Sequence, residues 1–240
     1  MKRMKKTKTN KTLTSQLVVE YIKEQITSGM LKAGDRLPSE RKLQEMMGVS
    51  RFALREGLAS LRALGIVTTL HGSASVLSKN VNAHSISDIF LPLLSKRNKK
   101  YIDDLIEVRI TIEQQSIKKA IQLITEEQID ELKQNIDDSA KNIAMIVNFS
   151  EKDYAFHLKI AEASNNSFLI NFLEAIQIQI KLFINKSITF VEQREKALQW
   201  HKDILQSILD KNIEKAQALI YLHISDCKDK YEYITNSEND

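Results

Sequence analysis

The chain has 240 residues, of which 42% are hydrophobic, so it is long and apolar enough for two domains with separate cores. Its single cysteine, Cys227, excludes a disulfide framework and a thiolate-rich metal cluster. It contains no run of about 18 apolar residues and no apolar segment behind its lysine-rich start, so we predict no membrane span and no signal peptide and expect a cytoplasmic protein.

Charge divides the chain into two parts. Residues 1–80 contain 15 Lys and Arg against 6 Asp and Glu, whereas residues 81–240 contain 20 against 25. A basic segment joined to an acidic remainder indicates a nucleic-acid-binding module attached to something else. Residues 1–11 are predicted to be a disordered basic arm.

Serine and glycine positions predict three short helices near the N-terminus. The first carries an apolar stripe over residues 17–26, the second follows Ser39 and ends at Gly48, and the third follows Ser50 and ends at Gly65. Serine is a favoured N-cap, and glycine adopts the left-handed conformation that ends many helices. The residues predicted to face inward on the second and third helices are Leu43, Met46, Met47, Leu54, Leu58 and Leu61. Two short helices joined by a tight glycine-containing turn predict a helix-turn-helix.

A β-hairpin is predicted directly after the third helix. Residues 66–70 are β-prone, residues 71–75 are typical of a turn, and residues 76–77 return as a strand. This hairpin would be a wing, so residues 12–77 are predicted to form a winged helix-turn-helix.

Several side chains of this domain are candidates for DNA contact. The outward face of the third helix carries Arg51, Phe52 and Arg55 near its N-terminus. An arginine there suits the paired acceptors of guanine. Arg41 on the second helix would reach a phosphate or pair with Glu45 four residues further on. Ser50, beside the free amides that begin the third helix, is a further phosphate-binding candidate.

The remainder of the chain is predicted to be all-α. All six glycines lie in the first 72 residues, and neither glycine nor proline occurs after Pro92. Helices are predicted at 101–123, 126–145, 148–163, 167–189, 192–209 and 213–234, with a shorter one at 84–96. We therefore expect a mainly α fold: a polar linker at 78–84 and a bundle of six or seven helices at 85–235.

One constellation in the helical part is compatible with a metal site. Asp153 and His157 are four residues apart and project from one helix face, and His201 and His223 lie on the last two helices. Three imidazoles and a carboxylate suit Zn²⁺ or Ni²⁺ with a coordination position left open. On spacing alone, an ordinary surface pair of Asp153 and His157 is the commoner explanation.

The N-terminal motifs resemble the DNA-binding domain of the GntR family of regulators. They are DRLPSERKL at 35–43, VSR at 49–51, LREGL at 54–58 and LRALG at 61–65. The resemblance implies that Arg41, Arg51 and Arg55 contact DNA and that His71 and Gly72 form a wing tip entering the minor groove. Phe52 and Ala53 replace a small polar pair that is common there, and residues 73–75 lack the family's second wing glycine.

The C-terminal motifs resemble the FCD effector domain of the FadR subfamily of GntR regulators. They are LIEVRITIE at 105–113, DYAFHL at 153–158, ASNN at 163–166, WHKDI at 200–204 and AQALIYLH at 216–223. The resemblance implies that Asp153, His157, His201 and His223 are the metal ligands. It also implies that Arg109 lines the effector cavity, where a guanidinium would grip a carboxylate; pairing of Arg109 with Glu113 remains an equal alternative. Asn165, where the family usually has glycine, is predicted to cap a helix in the left-handed conformation.

These observations together predict a transcription regulator. We expect a homodimer that binds a palindromic double-stranded DNA operator under the control of a small carboxylate effector held at a divalent metal ion. A metal-ion sensor is the first alternative. A metal-dependent hydrolase or oxygenase is less favoured, because the helical part shows no spare general base at motif spacing and catalysis would not explain a helix-turn-helix.

Overall fold

The computed structural model of the chain describes residues 5–70, 74–79, 87, 90–96 and 98–237, and the side chains of 14–70, 74–79, 87, 90–94 and 98–234. The chain divides into two compact units, Met1–Ile86 and Ser87–Asp240. Most of the described residues are helical. The predicted mainly α fold, with a winged helix-turn-helix followed by a helical bundle, is confirmed.

The first unit is the winged helix-turn-helix. Its elements are α1 (Lys5–Thr27), α2 (Glu40–Met47), α3 (Arg51–Ala63), β1 (Val67–Leu70) and β2 (Ala74–Leu77). The two strands are antiparallel, with Val67 opposite Leu77 and Leu70 opposite Ala74. The strand pair therefore includes Ala74 and Ser75, which the sequence placed in the turn. The predicted wing-tip residues His71 and Gly72 lie outside the described residues.

Local capping sets the turn between α2 and α3. The Ser39 hydroxyl accepts from the Lys42 amide at 3.3 Å, and the Ser50 hydroxyl accepts from the Ala53 amide at 3.2 Å. Gly48 ends α2 with φ 64°, a conformation that costs a side-chain-bearing residue energy. These caps hold α3 at a defined angle to α2, as a helix-turn-helix requires.

The core of this unit lies between α1 and α3. Its innermost residues include Val18, Ile22, Leu43, Leu54, Leu58 and Leu61. The two helices approach so closely that a Cβ atom on Gly57 would lie 2.6 Å from the Cβ atom of Val18. The prediction that Met46 faces inward is wrong, since its side chain is 53% exposed. Leu43 is the buried residue of the eight-residue helix α2, and Met46 projects about 100° away from its neighbour Met47.

The prediction of a disordered arm at residues 1–11 is wrong for residues 5–11, because α1 begins at Lys5. No glycine or proline occurs between Lys5 and Thr27. Lysine, threonine and asparagine tolerate a helix, so the backbone hydrogen-bond ladder of the buried segment continues toward the N-terminus.

The second unit is a bundle of α-helices. Those described are α4 (Lys99–Leu123), α5 (Glu126–Lys141), α6 (Ile146–Ala163), α7 (Ser167–Ala175), α8 (Gln177–Ser187), α9 (Val191–Leu209) and α10 (Ile213–Ser237). A 3₁₀ helix at Leu91–Lys96 lies within the predicted segment 84–96. Asn165 adopts φ 49° between α6 and α7, the left-handed cap expected from the sequence. Helix α4 packs against both α6 and α10, and α9 packs against α10.

The single helix predicted at 167–189 is observed as two helices, α7 and α8, bent by 60°. Helical dihedral angles are interrupted at Ile176, with φ −103° and ψ 13°. Leu173 and Ile180 are both fully buried and seven residues apart, so the apolar period continues across the break and does not reveal it. No single helix among the described residues combines the length and hydropathy of a membrane span; α7 and α8 reach them only as this bent pair.

Candidate metal centre and DNA-binding surface

Four buried side chains converge between three helices of the second unit. Asp153 and His157 project from α6, His201 from α9 and His223 from α10, and each is at most 2% exposed. One candidate ligand atom from each residue lies within 4.8 Å of the other three. The packing of α6, α9 and α10 therefore brings together residues that are up to 70 positions apart in the chain.

The distances within this cluster fit a shared cation. His157 Nε2 is 3.2 Å from His223 Nε2, and His201 Nε2 is 3.3 Å from an Asp153 carboxylate oxygen. Two nitrogens that each bind zinc at about 2.0–2.1 Å in tetrahedral geometry are about 3.4 Å apart. The imidazole nitrogens of His157 and His223 face each other at a distance that fits either a hydrogen bond between two neutral rings or a cation bound by both.

The ionisation states of the cluster also suit a divalent cation. Burial lowers the pKa of His201 and lowers that of His223 well below its usual value, so both rings are neutral. Burial alone would raise the pKa of Asp153, but its contacts with His201 and the other rings outweigh burial and lower it. Neutral imidazoles and an ionised carboxylate are the forms that bind metal.

A second carboxylate supports the cluster from α4. Glu113 accepts from Arg109 Nε at 2.6 Å, and its other oxygen is 2.5 Å from His157 Nδ1. Burial opposes ionisation of Glu113, but Arg109 and His157 lower its pKa to about 2. A carboxylate beside Nδ1 favours the tautomer with its proton on that nitrogen, which leaves Nε2 available to the cluster. Sequence reasoning considered Glu113 only as a partner of Arg109, because spacing along α4 does not indicate contact with α6.

Arg109 is paired with Glu113, which is one of the two roles that the sequence left open. Its Nε is paired with Glu113, but Nη1 and Nη2 are buried and have no hydrogen-bond partner among the described residues. Burial works against the charged guanidinium, yet Glu113 and Asp153 raise the pKa of Arg109. Two buried donors without acceptors are costly, and an oxyanion would satisfy both at once.

The exposed face of α3 carries the residues predicted to contact DNA. Its opposite face is buried, through Ala53, Leu54, Gly57, Leu58 and Leu61. Arg51, Phe52 and Arg55 are exposed, and together with Glu56, Ala59 and Arg62 they line one surface groove. Arg41 is also exposed and lies 3.9 Å from Glu45, a loose contact that leaves the guanidinium accessible. The Ser50 hydroxyl is engaged in capping α3.

Both units match known protein families. Residues 14–77 match the bacterial regulatory proteins of the gntR family, and residues 104–226 match the FCD domain. The chain belongs to the GntR family and carries an FCD domain. The GntR match includes Arg41, Ser50, Arg51, Phe52 and Arg55. The FCD match includes Arg109, Glu113 and the four residues of the buried cluster.

Two relatives that align with this GntR protein along most of their length are transcription regulators. The HTH-type transcriptional regulator YcbG of Bacillus subtilis is 30% identical over 220 residues, which cover 92% of this chain and 90% of YcbG. The Glc operon transcriptional activator of Escherichia coli is 29% identical over 223 residues, covering 89% and 87%. The chain is therefore a DNA-binding transcription regulator rather than an enzyme.

Solved structures agree with this assignment at the level of the fold. A GntR protein of Streptococcus agalactiae superposes with a TM-score of 0.65 at 23% identity, covering 89% of this chain and 98% of that protein. The E. coli protein McbR/YncC gives a TM-score of 0.51 at 17% identity, covering 94% and 98%. The two-unit architecture is thus shared with proteins of low sequence similarity.

Proposed function

We propose that this GntR regulator binds its operator under the control of a small carboxylate held at a divalent metal ion. The metal ligands would be Asp153, His157, His201 and His223. The observation that carries the proposal is their convergence within 4.8 Å in a buried site, with the neutral rings of His201 and His223 beside the ionised Asp153. An all-nitrogen-and-oxygen set of this kind suits Zn²⁺ or Ni²⁺.

Arg109 would bind the carboxylate effector. Its two free terminal nitrogens form the fork that matches two carboxylate oxygens, and its charge already interacts with Asp153 of the cluster. When bound, a divalent ion would supply an electrophilic centre, and an oxygen donor from the effector would raise its coordination number above the four protein ligands. A relative that is 26% identical over 217 residues is named the putative L-lactate dehydrogenase operon regulatory protein of E. coli, so L-lactate is a suitable first probe.

A thermal-shift screen of metal-loaded protein tests this function. We expect Tm to rise with one or more small carboxylates, because a ligand at 100 times its Kd stabilises the folded state by about 2.7 kcal/mol. The matched control is the primary amide of the same acid, which keeps the shape but removes the charge that Arg109 would bind.

Equal shifts with the acid and its amide would contradict carboxylate recognition by Arg109. A change in operator affinity on addition of metal alone, with no acid needed, would instead support the metal-sensor alternative.

The DNA-binding surface is proposed to be the exposed face of α3 in a major groove. Arg51→Ala or Arg55→Ala should weaken operator binding by about 1–3 kcal/mol and relax the preference at one base pair, because each arginine would lose a two-point contact with guanine. Competition against random duplex DNA measures this preference. Arg41→Ala is the matched control, since loss of a phosphate contact weakens binding to all sequences alike. Equal effects of all three substitutions on specific and random DNA would exclude base reading by Arg51 and Arg55.

The oligomeric state is proposed to be a homodimer. Each chain supplies one α3, and two-fold symmetry would place two copies on half-sites about 34–36 Å apart along a palindromic operator. Lysines and arginines that contact phosphates release the cations condensed on DNA. A higher salt concentration opposes this release, so operator affinity should fall steeply as salt is raised.

A further inference from the structure

Phe52 occupies the centre of the exposed face of α3. Successive residues of an α-helix are about 100° apart around the axis, which places Phe52 nearly opposite the middle of the buried face. On the same scale Arg51, Arg55 and Arg62 project within about 40° of one another, along one flank of the exposed face. An aromatic ring thus lies where the helix would reach deepest into a groove, with the arginines beside it.

The Phe52 ring is presented to solvent although it is large and apolar. It is 55% exposed, whereas Ala53 and Leu54, which follow it, are at most 2% exposed. An exposed aromatic ring does not contribute the stability that its burial in the core would give. Single exposed apolar residues are common on protein surfaces, but one at the centre of a recognition surface is informative. Glu56, one turn further along, is the acidic residue of this face and could accept from a cytosine amino group.

The major groove offers one apolar group at base level, the 5-methyl group of thymine. We propose that Phe52 reads a thymine methyl group next to the bases contacted by Arg51 and Arg55, so that this protein prefers a T·A pair at that position of each half-site. The inference rests on the proposed placement of α3 in the major groove. The inference assigns to Phe52 a base pair that the arginines do not read. Cytosine would be disfavoured there because it lacks the methyl group, and purines because of their shape.

Replacement of single thymines by deoxyuridine tests the proposal, because it deletes the methyl group and leaves every hydrogen-bonding group in place. The full chain first selects its preferred duplex from a random library. We expect one thymine in each half-site at which deoxyuridine weakens binding about four-fold, the loss for roughly one buried methyl group. Phe52→Ala should bind the unmodified duplex more weakly and show no further loss with deoxyuridine at that position.

Two further variants separate this role from a general one. Phe52→Leu keeps an apolar tip and should retain part of the deoxyuridine effect, whereas Arg51→Ala should weaken binding but keep the full effect. At the same position, 5-methylcytosine paired with guanine should bind better than cytosine paired with guanine.

The proposal is overturned if no thymine is sensitive, or if the wild-type protein and Phe52→Ala lose the same factor with deoxyuridine. The first result, combined with normal selection of a duplex and normal Arg51 and Arg55 effects, would remove the role of Phe52 and leave the proposed function intact. A protein that selects no sequence would remove both. Because Phe52 is exposed, the variants should unfold with wild-type midpoints, and a shifted midpoint in Phe52→Ala with unchanged DNA binding would place Phe52 in folding instead.

Discussion

Replacing His201 and His223 together with alanine should leave a protein that binds its operator but holds no stoichiometric divalent metal and does not respond to a carboxylate. Both rings are buried, and both place a nitrogen in the cluster that Asp153 and His157 complete from α6. Two ligands on one helix turn do not close a metal site. The winged helix-turn-helix belongs to a separate compact unit, so DNA binding should survive in one fixed state.

Metal analysis of the purified proteins and operator binding with and without effector measure both parts of this prediction. We expect the metal content to fall from about one ion per chain to near zero, a full loss because two of four ligands are removed. His84→Ala, which removes a histidine outside the four, is the matched control and should keep its metal. Equal metal content in the double variant and the wild-type protein would refute the ligand assignment. An intact effector response in a metal-free variant would show that the metal is not part of the switch.

The size of the response is limited by the ligand itself. An effector shifts the protein between two states only by the difference between its affinities for them. A carboxylate that binds both states through Arg109 alone would therefore stabilise the protein without releasing or engaging the operator. Comparing Tm shifts with changes in operator affinity across a set of acids separates binding from switching.

Glu113→Leu should be the most destabilising single substitution near the site. It leaves the buried Arg109 guanidinium without its counter-charge, which typically costs about 3–5 kcal/mol. It also removes the carboxylate beside His157 Nδ1, and the loss of such an orienting partner typically lowers metal affinity by about 10–100-fold. Urea unfolding of metal-free protein measures the first effect, and competition with a chelator measures the second.

The double variant Arg109→Met, Glu113→Leu separates these two effects. An apolar pair of similar size often replaces a buried ion pair at little cost, so most of the stability should return. Metal affinity should stay low, because His157 still lacks the carboxylate that orients it. Full recovery of metal affinity in the double variant would show that Glu113 supports metal binding by neutralising Arg109 and not by orienting His157.

The same pair predicts a pH dependence of folding. The pKa of Glu113 is held at about 2, below the ordinary value of 4.5, so the unfolded chain takes up the proton first. The stability contributed by the pair should be complete above pH 4.5 and be lost as the pH falls toward 2. Unfolding of Glu113→Leu should lack this component.

Much of the N-terminal unit was determined by local sequence. Ser39, Gly48 and Ser50 each have a short-range role, in a cap or a left-handed turn, that depends on residues within one helical turn. Helical periodicity alone places Phe52 opposite the buried residues of α3 and Arg51 and Arg55 along one flank of its exposed face. Exposure of Met46 was not predictable in this way, since it depends on how little of the short helix α2 reaches the core.

In the helical unit, the sequence by itself indicated the helices, the shared face of Asp153 and His157, and pairing with Glu113 as one of two roles for Arg109, all of which follow from helical periodicity. It named His201 and His223 as ligand candidates through the family resemblance. The tertiary structure alone decided which helix faces meet. Contact of Glu113 with His157 depends on how α4 packs against α6, and convergence of His201 and His223 on Asp153 depends on how α9 and α10 pack around them. The bend at Ile176 belongs to the same class, because the apolar period is unchanged across it. Periodicity gives the direction of a side chain from its own helix axis, whereas the distance between two side chains also requires the crossing angle and separation of their helices, which are set by packing of the whole core.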